Sequence, residues 1–223
     1  MRIRYPILLL LVAGLFIFVA CTPPPSLRNP DFLSGITILE DAPCSAPCWQ
    51  NITPGETAYT DAFGILASLP TLSNLQRNTD RQTGERTVDF AHEDGPQCCR
   101  LKASDGQIVS EIWLLLSPDV TLAQVIERYG EPIYVTGQDE TANQAFVSLV
   151  YTDIPMVVYA FAEGLAEGSL SETNQIIGVV YMTPEAINQS LMTAQNLYNW
   201  SGYGRLSEIM SGEPITFVPE ADN

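Results

Sequence analysis

Basic residues are scarce in this 223-residue chain: ten Lys and Arg stand against 26 Asp and Glu, a formal net charge of −16. Lys102 is the one lysine and His92 the one histidine. A surface so poor in cations repels polyphosphate and disfavours DNA or RNA as partners. The same scarcity removes most nucleophile-and-base arrangements. A Ser-His-Asp site would have to use His92, which sits in the turn-like stretch Ala91-His92-Glu93-Asp94-Gly95 and reads as a solvated loop residue. No GxSxG elbow occurs, and Lys102 has no serine three residues before it. A P-loop and an HExxH motif are also missing, and Gly202-Tyr203-Gly204 is too short for a nucleotide fingerprint. Among the many acids no spacing singles out a pair for glycoside cleavage. The sequence therefore offers no catalytic residue, no cofactor and no metal site. Long apolar runs are lacking too. Ile7–Ala20 has 14 residues, about 21 Å as a helix, against about 30 Å of bilayer hydrocarbon.

That run lies in an export signal. Arg2 and Arg4 form a basic start, and Phe18-Val19-Ala20-Cys21 closes the segment with a small residue before a cysteine. Phe18-Val19-Ala20-Cys21 resembles the bacterial lipobox, although that pattern prefers Leu where Phe18 stands. The resemblance implies cleavage before Cys21 and a diacylglyceryl group on its thiol. The alternative is an ordinary signal peptide that leaves Cys21 as a free thiol. Thr22-Pro23-Pro24-Pro25-Ser26 reads as a stiff spacer. The expected layout is a signal peptide over 1–20 and a lipidated, Pro-rich tether over 21–41. The protein would then sit on the outer side of the cell membrane or at the outer membrane. The mature chain would keep eight basic and 26 acidic residues, a net charge of −18.

Four further cysteines, Cys44, Cys48, Cys98 and Cys99, read as disulfides in an exported protein. Successive strand residues point to opposite faces, so a bond between Cys98 and Cys99 would close a strained ring. The expectation is that Cys44 and Cys48 each bond to one of the pair, in an order the sequence leaves open. A four-thiolate metal site would need other spacings than CxxxC and CC.

An internal repeat organises the rest. Ile52-Thr53-Pro54, Leu116-Ser117-Pro118 and Met182-Thr183-Pro184 each follow an apolar stretch and precede a helix start, with the prolines 64 and 66 residues apart. Thr121 and Gln124 fit a capping box. Leu122, Val125, Ile126 and Tyr129 make one apolar stripe, ended by Gly130 and Pro132. Tyr59, Phe63 and Leu66 make a similar stripe, stopped by Pro70. The pattern predicts strands over 72–77, 87–92, 97–103 and 107–116, with a hairpin at Ser104-Asp105-Gly106. A second set follows over 133–136, 145–151, 156–161 and 175–182. Gln107-Ile108-Val109 before Trp113 is echoed by Gln175-Ile176-Ile177 before Tyr181. The expected fold is α+β: two tandem helix-plus-antiparallel-sheet modules, 42–116 and 117–182, then a C-terminal helix over about 184–199 and a tail within 183–223. A short helix is expected at 205–210 and a mobile acidic loop over 163–174.

The unit from Ile52 to Pro70, repeated from Leu116 to Pro132, resembles small envelope lipoproteins of the SmpA/OmlA (BamE-like) family. In tandem it also looks like the β-lactamase-inhibitor-protein fold, whose duplicated modules form a concave binding surface. Those resemblances imply a binding protein and name no partner. Among the aromatics, Trp113 reads as core packing, while Trp200 and Tyr203, flanked by Gly and Ser, are the surface candidates for binding. The expected function is a membrane-anchored, non-enzymatic binding or envelope-assembly protein with a protein or peptide partner. The alternative is an envelope hydrolase acting on glycan or peptide.

Overall fold

The structure is a computed structural model that describes residues 27–93 and 95–217. The expected export signal, Cys21 and Pro23 to Pro25 lie outside the described residues. The fold is α+β. The strands are β1 (Leu72–Thr79), β2 (Arg86–His92), β3 (Gln97–Ala103), β4 (Glu111–Leu115), β5 (Tyr134–Thr141), β6 (Gln144–Tyr151), β7 (Met156–Ala162), β8 (Ser169–Leu170), β9 (Ile176–Met182), β10 (Tyr198–Asn199) and β11 (Gly204–Arg205). The helices are α1 (Tyr59–Ser68), α2 (Leu122–Tyr129), α3 (Pro184–Thr193) and α4 (Leu206–Ile209).

Nine strands form one antiparallel sheet in the order β1-β2-β3-β4-β9-β7-β6-β5-β10. Residues 72–115 supply four strands and residues 134–182 another four, with β10 added at the β5 edge, and the two sides join where β4 pairs with β9 from Glu111↔Met182 to Leu115↔Gly178. The hydrogen bonds around the two halves match. Tyr59 N–H donates to Gln107 O as Leu122 N–H donates to Asn174 O, and Val109 N–H to Thr57 O as Ile176 N–H to Val120 O. Across the seam, Leu116 N–H donates to Ile177 O and Thr183 N–H to Ser110 O.

Local chemistry explains the elements. Gln124 Oε1 accepts the Thr121 N–H at 2.9 Å at the start of α2, and Gly130 at φ 81° ends that helix. Pro184 opens α3 at its first turn, where a missing N–H costs nothing, and Thr183 Oγ1 accepts the Ala186 N–H at 3.1 Å. In the β3–β4 turn the Asp105 carboxylate accepts the N–H groups of Gln107 and Ile108. Gly106 there takes φ 72°, and a Cβ on it would collide with the Gly84 carbonyl. Helix α3 stops at Thr193 rather than reaching Tyr198. Asn196 adopts φ 55°, and Tyr198 and Asn199 pair with Val135 and Tyr134 as β10. Within 163–174, β8 pairs with β11, so the expected loop is tied down at Ser169 and Leu170.

The inner face of the sheet carries the main core. Phe90, Leu101, Ile112, Leu149, Val158 and Tyr181 are buried there against Tyr59, Ala62 and Leu66 of α1 and Leu122 and Val125 of α2. A smaller cluster lies on the opposite face, where Ile187 and Leu191 of α3 cover Val150, Val157, Val180 and Met182. The expected tether over 21–41 is corrected in its described part, because 27–41 belongs to the folded domain. Leu33 and Ile38 are buried, Leu33 bridges Leu116, Ser34 and Gly35 bond the Asp119 carboxylate, and Asp41 pairs with Arg128.

The disulfide expectation is corrected as well. Cys44 bonds Cys48, and Cys98 bonds Cys99. The alternation argument fails because β3 is not regular at that point. Phe90 pairs with Cys99 and Ala91 with Gln97, which leaves Cys98 as the extra residue of a bulge. The segment 42–49 is held to the sheet by packing instead, with Trp49 stacked on Phe90 at 5.8 Å between ring centroids.

Leu114 and Leu115 are adjacent on β4 but face opposite ways, 2% and 44% exposed. Leu114→Ala should cost about 2–5 kcal/mol of stability and Leu115→Ala less than about 1 kcal/mol. Urea unfolding of the two variants checks this, and equal losses would mean that the outer face is covered.

Candidate functional site

The outer face of β2, β3 and β4 is not covered by any described element, and its residues follow from the register. One row across the sheet runs Asp89, Arg100, Trp113, Val180, Val157, Val150 and Tyr134. The next runs Thr87, Lys102, Glu111 and Met182. A third runs Leu115, Gly178, Tyr159, Ser148 and Thr136. In the second half α3 buries the valines of these rows; in the first half Trp113 is 38% exposed on a central strand. This corrects the reading of Trp113 as core packing.

Two adjoining hollows of about 450 and 490 Å³ lie on this face and share Lys102, Glu111 and Trp113. The second has α3 as its wall, with Ala186, Gln189 and Ser190, and Tyr159 on its floor. A Cβ at Gly178 would sit 3.1 Å from the Leu114 carbonyl oxygen, so the tight approach there is to the β4 backbone, with the Tyr159 ring at ordinary contact distance. Phe146 packs edge-on against Tyr159 at 5.7 Å. Beyond them the Arg28 guanidinium stacks over Phe161 at 4.2 Å, where the described N-terminal segment reaches the same face.

The charged groups of the face are locked together. Lys102 Nζ lies 3.0 Å from Glu111 Oε1 and 3.5 Å from Glu85 Oε2. Glu111, 9% exposed, also accepts the Trp113 indole N–H at 2.7 Å. Arg100 forms a two-pronged pair with Asp89. Each carboxylate thus faces a fixed cation, and the Glu111 bond to the indole orients Trp113.

His92 ends β2 beside Glu93 at 3.9 Å and lines a different hollow with Pro30, Asp31 and Pro96. No serine or cysteine nucleophile is paired with it among the described residues. No group of His, Cys, Asp and Glu able to hold a metal ion occurs among those residues either. Cys98 and Cys99, both buried, line the end of the first hollow. Trp200 and Tyr203 contact each other edge-on at 5.9 Å, with Trp200 half-buried and Tyr203 exposed. They lie between β10 and β11 and belong to a separate patch. No described helix is long and apolar enough to cross a membrane.

Sequence reasoning placed Trp113 in the core and passed over Leu115. The signal available was Gly178: a glycine in the apolar run Ile176–Met182 marks a close approach of neighbouring backbone, here the Leu114 carbonyl.

Two groups of the face make its stability pH-dependent. Desolvation, then the Glu111 charge, pushes Tyr159 up to about 12. Burial pulls Lys102 down, but the Glu111 hydrogen bond and the Glu111 and Glu85 charges outweigh it, and its pKa rises above the ordinary lysine value. Both folded pKa values lie above the unfolded ones, so this stabilisation is complete below about pH 10 and is lost as pH rises from there toward 12. Unfolding midpoints measured from pH 8 to 12 should fall over that window, and the fall should be shallower in Tyr159→Phe. An unchanged slope in the variant would show that Tyr159 is not buried as described.

Comparison with known proteins adds nothing to this geometry: no family model matches the chain, and neither the curated proteins nor the solved structures contain a match.

Proposed function

We propose that this chain is a lipid-anchored, extracytoplasmic protein that binds a protein or peptide partner on the open face of its sheet and is not an enzyme. The observation that carries the binding reading is the exposure of Trp113 and Leu115 on the central strand β4. A central strand in a sheet is normally covered on both faces or lined with polar groups on the open one. Large apolar side chains left open beside a groove are what partner sites look like. The anchor reading rests on Phe18-Val19-Ala20-Cys21 alone.

The hydrolase alternative gains no support, because Glu85, Asp89 and Glu111 are held in ion pairs and His92 lies in another hollow. We read the chain further as two copies of one unit, a helix followed by four strands. The matched hydrogen bonds at Thr57–Tyr59 and Val120–Leu122 support this, as does the recurrence of a hydroxyl residue before Pro54, Pro118 and Pro184. Two units meeting edge to edge is also the arrangement implied by the likeness to the inhibitor-protein fold, and it makes the open face broad enough for a macromolecule.

Changing Cys21 to Ser should move the protein from the membrane fraction to the soluble extracytoplasmic fraction; retention in the membrane would overturn the anchor. A photo-crosslinking side chain in place of Leu115 should trap a partner in cells. The same group in place of exposed Asn78 at the sheet edge should not. Crosslinks from neither position would remove the open-face reading.

A further inference from the structure

We infer that the occupant of the open face is an amphipathic α-helix of basic net charge, presented by the partner and packed alongside α3. This deepens the binding reading above and rests on it for the choice of face.

The protein itself shows what fits there. On the second half of the same face, α3 places Ile187 and Leu191, one helical turn apart, onto Val150, Val157, Val180 and Met182. Those residues belong to β6, β7 and β9, and α3 crosses these strands: the Thr183 N–H at its start donates to Ser110 O beside β4, and Gln195 O past its end accepts the Thr136 hydroxyl of β5. Packed helices lie about 8–10 Å apart. A second helix beside α3 is therefore displaced along the strands, over the row Leu115, Gly178, Tyr159 and Ser148. Leu115 begins that row on β4, and Trp113 stands two residues before it on the same face.

The row Val150, Val157 and Val180 under α3 runs directly into Trp113. The 490 Å³ hollow follows the flank of α3, with Gln189, Ser190 and Thr193 as its wall, Tyr159, Ser148 and Thr136 beneath and Trp113 at one end, and it is the space a second helix would fill with its side chains. An extended peptide would find no backbone to pair with here, because β4 is bonded on both sides by β3 and β9. The hollows are lined by three acids, Glu85, Asp89 and Glu111, against two bases, Arg100 and Lys102, in a chain of net charge −16. A basic helix is the complementary partner, and its approach is accelerated by that field.

The test uses full-length protein in detergent and a synthetic peptide copying residues 183–194, with lysine replacing Glu185, Asn188 and Met192. A control peptide carries the same changes and proline in place of Ser190. The helical peptide should bind, should quench or shift Trp fluorescence, and should bind at least tenfold more weakly to Leu115→Glu and Trp113→Ala. The control should bind at least tenfold more weakly to the unaltered protein. Equal binding of the two peptides, or equal binding to the variants, would overturn the helix. So would a crosslink from position 115 that traps a second copy of this chain or its own N-terminal segment. A crosslink to another protein that the helical peptide fails to displace would leave the open-face reading standing and sink only this inference.

Discussion

The fold depends on five residue pairs. Where β4 meets β9, from Glu111↔Met182 to Leu115↔Gly178, a group of four strands and a group of five become one sheet. Without that seam each group would expose a last strand with unpaired backbone, and each would have too small a core to persist alone. With it, Phe90, Leu101 and Ile112 of one half and Tyr181, Val158 and Leu149 of the other share one hydrophobic cluster. The paired bonds Leu116 N–H to Ile177 O and Thr183 N–H to Ser110 O extend the seam symmetrically beyond both strand ends. Trp113 and Val180 form the middle pair of the five. The exposed indole thus stands on the most securely held part of the molecule, where the backbone under it is fixed by neighbours on both sides.

The seam also explains why the two faces differ. Helices α1 and α2 precede their strands and lie on the inner face, where β-sheet and helix bury one another's apolar sides. Helix α3 follows β9 and is the one helix on the outer face. The stretch that follows β4 instead leads through Ser117 and Pro118 into α2 on the inner side, with Asp119 held by Ser34 and Gly35. No helix among the described residues is therefore left to cover Trp113 and Leu115. The asymmetry is a consequence of chain order: two halves, three long helices, and one outer surface unfilled.

Much of the fold was legible in the sequence because local signals and tertiary needs agree. The strands near 97–103, 145–151 and 156–161, the cap at Thr121 and the stop at Gly130 are where patterning placed them. What failed to show is what depends on neighbours distant in sequence. Ile112-Trp113-Leu114-Leu115 has no polar alternation, so a residue on an open face looks like one in the core. The pairing of Cys98 with Cys99 follows from a bulge opposite Phe90 and Ala91, and a bulge is a property of two strands together. Residues 33–41 lack helix or strand periodicity yet are fixed by Leu116, Asp119 and Arg128 from far along the chain. The site was legible only in part. Trp200 and Tyr203 stood out by composition, whereas the face built by β3, β4 and β9 needed the register to be seen.

An open apolar strip is also a hazard, and the rest of the surface limits it. Trp113 and Leu115 lie on a central strand, so they expose side chains without exposing backbone that could template a further strand. The strip is bordered by the locked pairs Arg100–Asp89 and Lys102–Glu111, which must lose water before a partner can seat and so penalise loose apolar contacts. A net charge of −16 keeps copies of the chain apart at the distances where screening is incomplete. The same charge that discourages self-association favours a cationic partner. On the proposed binding reading, the scarcity of basic residues, with the one lysine spent on Glu111 and Glu85, would select for a cationic partner.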